Sequence, residues 1–232
     1  MQPVIIAHRG ASALAKHENT LEAFQIAIDL NVDYIEFDIR KTYDDKLIVF
    51  HDSKMGSTNI STLTYKEICN ITSPDGYIPP LFSQVVNLCS GKIRLDIELK
   101  ETGYEKRVVD IVLNSCDYKD FIIKSFNDQA VFRVKQYDRN IVTGLLVGKK
   151  HSSFKRRFNE IFPKRRLIMC GADFIAPNYF FCFKSYIKRM HDMGIQVFVW
   201  TVNSEKKIKR CIRLGVDGII TDRPDLALKL LT

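Results

Sequence analysis

The 232-residue sequence lacks the patterns that mark several large protein classes. Its six cysteines form no C-x-x-C pair and no cysteine–histidine cluster at zinc spacing, so we expect neither a disulfide framework nor a structural zinc site. No apolar run approaches the roughly 18 residues that cross a bilayer, and the first residues show no signal-peptide pattern. These absences predict a cytoplasmic protein, and the length predicts one domain over residues 1–232.

Glycine-rich phosphate loops are also missing. Neither G-x-G-x-x-G nor G-x-x-x-x-G-K-[ST] follows the first predicted strand, which disfavours an open, nucleotide-binding sheet. Short apolar runs instead predict eight strands, at 4–8, 34–40, 94–100, 121–126, 141–147, 173–178, 196–202 and 218–221. Helical patterns accompany them at 21–28, 104–116, 127–138, 182–193, 204–214 and 224–231.

Eight strand-then-helix units predict an α/β fold, a TIM-type (β/α)8 barrel, because each parallel step needs a crossover and the outer faces need helices. A strand-like stretch at 47–50 and a Ser-, Thr-, Asn- and Pro-rich stretch at 53–80 do not fit this repeat. We interpret them as a small insertion between the second strand and its helix.

Positive charge is concentrated in one segment. The formal net charge is +8, and residues 149–166 hold eight basic residues against a single acidic one, a net +7. The rest is nearly neutral, so we expect no nucleic-acid partner. Within this segment Phe154, Phe158, Ile161 and Phe162 recur at helical spacing. We favour an outer helix that packs its aromatic side on the barrel; the alternative is a peripheral contact with an anionic membrane surface.

Two predicted strands carry a charged stripe opposite an apolar one. Alternation places Glu36 and Asp38 on one face of the second strand, and Glu98 lies on the charged face of the third. Buried carboxylates need partners, because an unpaired buried charge is costly. A bound cation would supply one, and oxygen ligands suit a hard cation. We expect Arg94 and Asp96, deeper on the same stripe, to pair with each other.

Two histidines stand at the ends of predicted strands. His8 and Arg9 close the first strand, and His51 closes the strand-like stretch of the insertion. Residues at the carboxyl ends of barrel strands face the active-site mouth. There, two imidazoles could act as general acid and general base, and Arg9 could hold phosphate or carboxylate oxygens. A lone histidine more often only caps a strand, but their placement together with the acidic stripe favours catalysis.

These motifs together resemble the glycerophosphodiester phosphodiesterase family. The resemblance covers essentially the whole chain, and its specificity comes from the ordered set rather than from any one element. The matching segments are 6–10 (IAHRG), 18–24 (ENTLEAF), 35–38 (IEFD), 51–52 (HD), 95–100 (LDIELK), 199–203 (VWTVN) and 215–224 (GVDGIITDRP).

The resemblance implies a TIM-type barrel that hydrolyses a small-molecule glycerophosphodiester to glycerol 3-phosphate and an alcohol. It implies one divalent cation, Ca²⁺ or Mg²⁺, held by Glu36, Asp38 and Glu98. It also implies that His8 and His51 are the acid–base pair. The oligomeric state stays open.

The remaining implied contacts are with the substrate. Arg9 and Lys100 would hold phosphate. Asn19 matches the family's glutamate–asparagine pair near the site, although it also suits the cap of the helix that follows. Trp200 would line the glycerol pocket or simply pack in the core. Two other functions stay open: lysophospholipase D-type activity on lysolipids at the same site, and a catalytically silent phosphate-ligand binder.

Overall fold

The computed structural model describes residues 2–148 and 154–231 of the chain. In that part of the chain, the strands are β1 Val4–His8, β2 Tyr34–Lys41, β3 Leu47–Val49, β4 Lys54–Met55, β5 Thr58–Asn59, β6 Arg94–Leu99, β7 Phe121–Ser125, β8 Thr143–Val147, β9 Phe174–Pro177, β10 Gln196–Val199 and β11 Gly218–Thr221.

Helices follow the strands and cover the outside. They are α1 Leu21–Asp29, α2 Tyr65–Thr72, α3 Phe82–Cys89, α4 Glu105–Leu113, α5 Asp128–Tyr137, α6 Phe154–Ile161, α7 Lys164–Cys170, α8 Lys184–His191, α9 Glu205–Leu214 and α10 Pro224–Lys229. Short 3₁₀ turns lie at Ile60–Thr62, Ser73–Asp75, Tyr118–Asp120 and Tyr179–Phe181. Among the described helices, none combines the length and the apolar character needed to cross a membrane.

Eight of the strands close into a parallel barrel. β1 pairs with both β2 and β11, and the order around the barrel continues from β2 through β6, β7, β8, β9 and β10 to β11. Each barrel strand falls on a predicted one; β6, for example, is predicted over 94–100 and observed at Arg94–Leu99. The predicted TIM-type (β/α)8 fold is therefore confirmed.

The barrel interior contains packed aromatic and aliphatic side chains at one end and charged side chains at the other. Toward the amino-terminal end, the rings of Phe174 and Phe198 stack 4.7 Å apart and pack with Ile6 and Ile122. Gly144 leaves space for them, because a Cβ at that position would lie 2.1 Å from the Phe174 ring. Toward the carboxyl end of β2, β6 and β7, the buried side chains are charged. The candidate active-site residues therefore lie above a layer of packed aromatic rings.

The predicted insertion lies where expected but contains more structure. β3 pairs antiparallel with the end of β2, with Ile39 opposite Val49, and β4 and β5 form a small hairpin. The helix α2 was not predicted. A capping box marks its start, because the Thr64 side chain accepts from the Glu67 backbone while the Glu67 carboxylate accepts from Thr64. This capping-box signal is visible in the sequence, but many other polar residues surround it, so it does not stand out as a helix start.

The favoured prediction for the basic segment is confirmed in part for the residues that the structure describes, because an outer helix, α6, follows the fifth barrel strand, β8, and its Ile161 packs against the core. Phe158 and Phe162 are 55% and 50% exposed instead of packed on the barrel. Hydrogen bonds also attach the end of α6: the Tyr186 hydroxyl donates to the Glu160 carbonyl, and Arg189 donates to the Ile161 carbonyl at 2.6 Å. Residues 149–153 and the side chains of 154–156 lie outside the described part.

Candidate active site

Three buried carboxylates converge near the carboxyl ends of β2 and β6. Asp38 lies directly opposite Glu98 in the parallel register, and Glu36 is two residues earlier on the same face of β2. One oxygen from each of the three can be chosen so that all lie within 4.8 Å of one another. The three residues are at most 6% exposed. The predicted cation ligands are thus brought together, in a geometry that only the strand register could fix.

His8 stands beside this cluster and is held from behind by Asp222. Its Nδ1–H donates to Asp222 Oδ1 at 2.6 Å, and its Nε2 lies 4.0 Å from Glu36 Oε2. Asp222 also accepts from Ser12 Oγ at 3.0 Å and from the Asn203 amide. Burial disfavours the imidazolium, but the Asp222 hydrogen bond and the Glu36 charge outweigh it, so the pKa of His8 is raised. Asp222 therefore fixes both the tautomer and the orientation of His8.

His51 reaches the same pocket from the insertion. Arg40 holds its backbone carbonyl with two donors, Nε at 2.9 Å and Nη2 at 2.7 Å. The ring donates from Nδ1 to Asp52 at 2.8 Å. Burial and the nearby Lys100 ammonium lower the pKa of His51. The two histidines are therefore shifted in opposite directions.

The loop after β1 brings Arg9 and Asn19 to Asp38. Both residues have positive φ, 55° and 56°, and the Asn19 backbone N–H donates to the Arg9 carbonyl at 2.9 Å. Asn19 Nδ2 donates to Asp38 Oδ2 at 2.8 Å, and Arg9 Nε lies 3.5 Å from the same oxygen. The cap of α1 is Thr20, which accepts from Ala23, so the capping interpretation of Asn19 is wrong. Such backbone strain clusters at functional sites.

Lys100 bridges two of the carboxylates. Its Nζ lies 2.7 Å from Asp38 Oδ1 and 2.5 Å from Glu98 Oε1. Burial alone would raise the pKa of Asp38, but Lys100 and Arg9 hold it well below its usual range. Burial raises the pKa of Glu98 despite Lys100. Lys100 thus lies against two of the carboxylates and also lines the pocket above them.

The predicted pair of Arg94 and Asp96 does not form. Arg94 pairs instead with residues around the start of β2, with Asp33 Oδ1 at 3.1 Å and the Tyr34 hydroxyl at 3.2 Å. Asp96 turns inward and accepts from Lys124 Nζ at 2.5 Å. Arg94 opens β6 directly opposite Tyr34 in the register, so its nearest partners lie around the start of β2, whereas Asp96 is two residues farther along β6 and faces Lys124.

These side chains surround a pocket of about 470 Å³. Seven of the nine predicted site residues line it: His8, Arg9, Glu36, His51, Glu98, Lys100 and Trp200. Asp38 and Asn19 lie just beneath it, buried. Trp200 lines this pocket and also packs against the apolar cluster inside the barrel, and its Nε1 donates to the Ala176 carbonyl at 2.8 Å.

The sequence over residues 8–226 matches the model of the Glycerophosphoryl diester phosphodiesterase family. This stretch holds nearly the whole barrel and all nine predicted site residues. The chain belongs to this family. The resemblance inferred from the motifs is confirmed, and so is the expectation of an enzyme of the phosphoric diester hydrolase class.

Relatives of this glycerophosphodiester phosphodiesterase family align along the full barrel. The chain is 30% identical to the "Putative glycerophosphodiester phosphodiesterase YhdW" of Bacillus subtilis, over 97% of this chain and 96% of the relative. It is 26% identical to "Lysophospholipase D GDPD1" of Rattus norvegicus, over 94% and 83%. A phosphodiesterase of Oleispira antarctica, solved with the product sn-glycerol-3-phosphate, shares the fold with a TM-score of 0.84 at 20% identity, over 99% and 97%.

Two charged residues near the site received no functional role from the sequence. Asp222 lies in the segment GVDGIITDRP, which supported the resemblance, but no role was inferred for it. Lys124 is completely buried on β7, with Nζ 3.4 Å from Glu36 as well as 2.5 Å from Asp96. A lysine in the apolar run Phe121–Ser125 was the available signal. Its partners could not be read from the sequence, because they depend on the register of three strands.

Proposed function

We propose that this chain hydrolyses glycerophosphodiesters to glycerol 3-phosphate and an alcohol, with one divalent cation, Ca²⁺ or Mg²⁺. The observation that carries the proposal is the convergence of Glu36, Asp38 and Glu98 beside an imidazole that Asp222 orients. General acid–base catalysis needs such a positioned imidazole, and a phosphodiester needs positive charge around its oxygens. The product bound to the Oleispira antarctica phosphodiesterase supports the choice of substrate.

The donor set fits a hard cation. All three ligands are carboxylates, and the side-chain oxygen of Asn19, buried next to Asp38, accepts no hydrogen bond among the described residues. Oxygen atoms of this kind suit Ca²⁺ or Mg²⁺ better than zinc or copper. When bound, the cation would polarise a phosphoryl oxygen and offset developing negative charge.

The two histidines divide the proton transfers. Because Asp222 occupies Nδ1 of His8, Nε2 is the nitrogen left to accept a proton from the attacking hydroxyl, whether of water or of the substrate's own glycerol. A raised pKa makes His8 the stronger base. A lowered pKa makes His51 the stronger acid, suited to protonating the oxygen of the leaving alcohol. Arg9 and Lys100 bind the phosphate oxygens between them.

The test is release of glycerol 3-phosphate from glycerophosphocholine, glycerophosphoethanolamine and glycerophosphoglycerol, after chelation and after adding back Ca²⁺ or Mg²⁺. We expect activity only with a cation. The variant Glu98→Gln should bind the cation more weakly by calorimetry, whereas Glu22→Gln, at an exposed position on α1, should not. Full activity after exhaustive chelation contradicts the cation. Binding of glycerol 3-phosphate without turnover of any diester favours the silent binder.

One observation favours lysolipids as a second substrate class. The far side of the pocket is apolar, lined by Phe126, Leu146, Trp200 and Ile220. A relative carries the name lysophospholipase D. We propose that the acyl chain of a lysolipid contacts this apolar side of the pocket. Turnover of a lysolipid should therefore exceed turnover of the matching deacylated diester. Equal turnover of the two at subsaturating concentration would contradict it.

We also propose a cytoplasmic location. All six cysteines are free thiols, four of them buried, which suits a reducing compartment. Fractionation of the native cells tests this, and recovery of the protein outside the cytoplasm contradicts it.

A further inference from the structure

An exposed apolar groove lies on the outside of the barrel between α5 and α7. It encloses about 500 Å³, and its lining includes Phe132, Phe162 and Met169. Phe158 extends the apolar surface, because its ring lies 5.0 Å from the ring of Phe162. These four side chains are between 42% and 64% exposed. We call these four residues, together with Lys164 and Arg165, the groove surface. Clustered exposed apolar side chains of this size indicate a contact with something other than water.

Among the residues that the structure describes, the charges around the groove surface that have no ion-pair partner are positive. Lys164 and Arg165 are exposed, and neither has a carboxylate partner among residues 2–148 and 154–231. The acidic residue on the lining, Asp128, is bound by Arg166 at 2.5 Å. The Arg189 guanidinium lies 4.7 Å from the centre of the Phe162 ring. The surface is therefore apolar in the middle and positive at its border.

One end of the groove lies near the active-site pocket. Phe126 lines the catalytic pocket, and Asp128, two residues later at the start of α5, lines the groove. Directly after the next strand, β8, Gly148 lines the catalytic pocket. Residues 149–166 follow it, and their net charge in the sequence is +7. One surface could therefore rest on this flank of the barrel with the pocket mouth close by.

We propose that the groove surface docks the protein on an anionic lipid bilayer. Aromatic and aliphatic side chains enter the boundary between headgroups and acyl chains, while lysine and arginine bind anionic headgroups. Charge complementarity selects this occupant: the cationic border has no free acidic residue among its described lining, so it matches a uniformly negative surface. The proposal is independent of the hydrolytic one, because vesicle binding is measured without a substrate.

The experiment is co-sedimentation of the full chain with vesicles of phosphatidylcholine alone, and of phosphatidylcholine with about one third phosphatidylglycerol. We expect binding to the anionic vesicles, weakened by high salt. The double variant Phe158→Ser with Phe162→Ser should lower the partition coefficient about tenfold or more, because two aromatic rings no longer leave water. The double variant Lys164→Gln with Arg165→Gln should lower it by roughly fivefold for each cation removed.

Matched control variants come from the opposite end of the barrel. Tyr118 and Tyr137 are exposed to a similar degree, and Lys92 and Lys119 are exposed cations. Replacing the two tyrosines with serine, or the two lysines with glutamine, should leave vesicle binding unchanged. Absence of binding to anionic vesicles overturns the proposal. So does binding that ignores salt and lipid charge, or an equal loss in the control variants. Melting curves confirm that each variant is folded.

Discussion

The two halves of the pocket mouth differ in almost every physical respect. On the side of β1, β2, β6 and β7, the lining is charged and tightly paired: His8, Glu36, Glu98, Lys100 and Lys124. On the side of β8 to β11, it is Leu146, Gly148, Asn178, Trp200 and Ile220, none of them ionisable. Under the proposed function, the charged wall carries out the chemistry and the apolar wall contributes to substrate recognition.

In the charged half of the pocket, the buried negative charges need nearby positive charges. Each buried carboxylate has a cationic neighbour: Lys100 for Asp38 and Glu98, and Lys124 for Glu36 and Asp96. Unpaired, such charges would cost several kcal/mol each. The apolar half needs only packing. Substitutions should therefore damage catalysis and stability most in the charged half, and mainly substrate affinity in the apolar half.

The largest effect is expected from the histidines. His8→Ala or His51→Ala should each lower kcat by roughly 100- to 10,000-fold, because general acid–base groups contribute that much. The measurement is release of glycerol 3-phosphate under saturating cation, with circular dichroism to confirm folding. His191→Ala is the matched control, since His191 pairs with Asp217 near the opposite end of the barrel. A near-normal rate in folded His8→Ala would show that acid–base catalysis does not depend on the charged half of the pocket.

Next in size is the loss of the buried lysine. Lys124→Met leaves Asp96 and Glu36 without their shared cation, and breaking a buried ion pair from one side costs about 3–5 kcal/mol. Urea unfolding measures the free energy. The double variant Asp96→Asn with Lys124→Gln leaves two neutral groups that can hydrogen-bond, so it should recover much of the stability. A Lys124→Met protein as stable as the parent would show that this half does not depend on charge balance.

The charged half also shows where sequence reasoning succeeds and where it stops. Alternation alone put Glu36 and Asp38 on one face of β2, and eight strands predicted the barrel, because both follow from periodicity within one segment. The partner of Asp96 was predicted incorrectly as Arg94 and is Lys124, since pairing across strands depends on register and depth in the barrel. The exposed Phe158 likewise could not be predicted, because helical spacing says which residues share a face but not what that face meets.

A smaller effect is expected from the group behind His8. Asp222→Asn should lower kcat by roughly tenfold or more, because an amide no longer fixes the productive tautomer. Ser12→Ala, which removes only one hydrogen bond to Asp222, is the control and should be nearly neutral. Equal losses of kcat in Asp222→Asn and Ser12→Ala would mean that Asp222 acts by holding the loop that carries Ser12, not by orienting His8.

The same variant has a pH signature in stability. The pKa of His8 is raised, so its contribution is present below its unfolded pKa of about 6.5 and is lost as the pH rises through the folded value. The pKa of Asp222 is lowered, so its contribution is present above its unfolded pKa of about 3.9 and is lost as the pH falls through the folded value. Asp222→Asn should therefore cost more unfolding free energy at about pH 5.5 than at about pH 8.5. A cost independent of pH would exclude the ion pair as its source.

The smallest effect is expected in the apolar half, at Trp200. Trp200→Phe keeps a ring edge-on to Phe126 but removes the hydrogen bond from Nε1 to the Ala176 carbonyl. A neutral hydrogen bond contributes about 0.5–1.5 kcal/mol, so KM should rise by roughly two- to tenfold while kcat stays close to that of the parent. Steady-state kinetics on one diester separate the two constants, and Phe183→Leu, on an exposed ring outside the pocket lining, is the control. If Trp200→Phe instead lowers kcat as much as Asp222→Asn does, recognition and chemistry are not divided between the two walls.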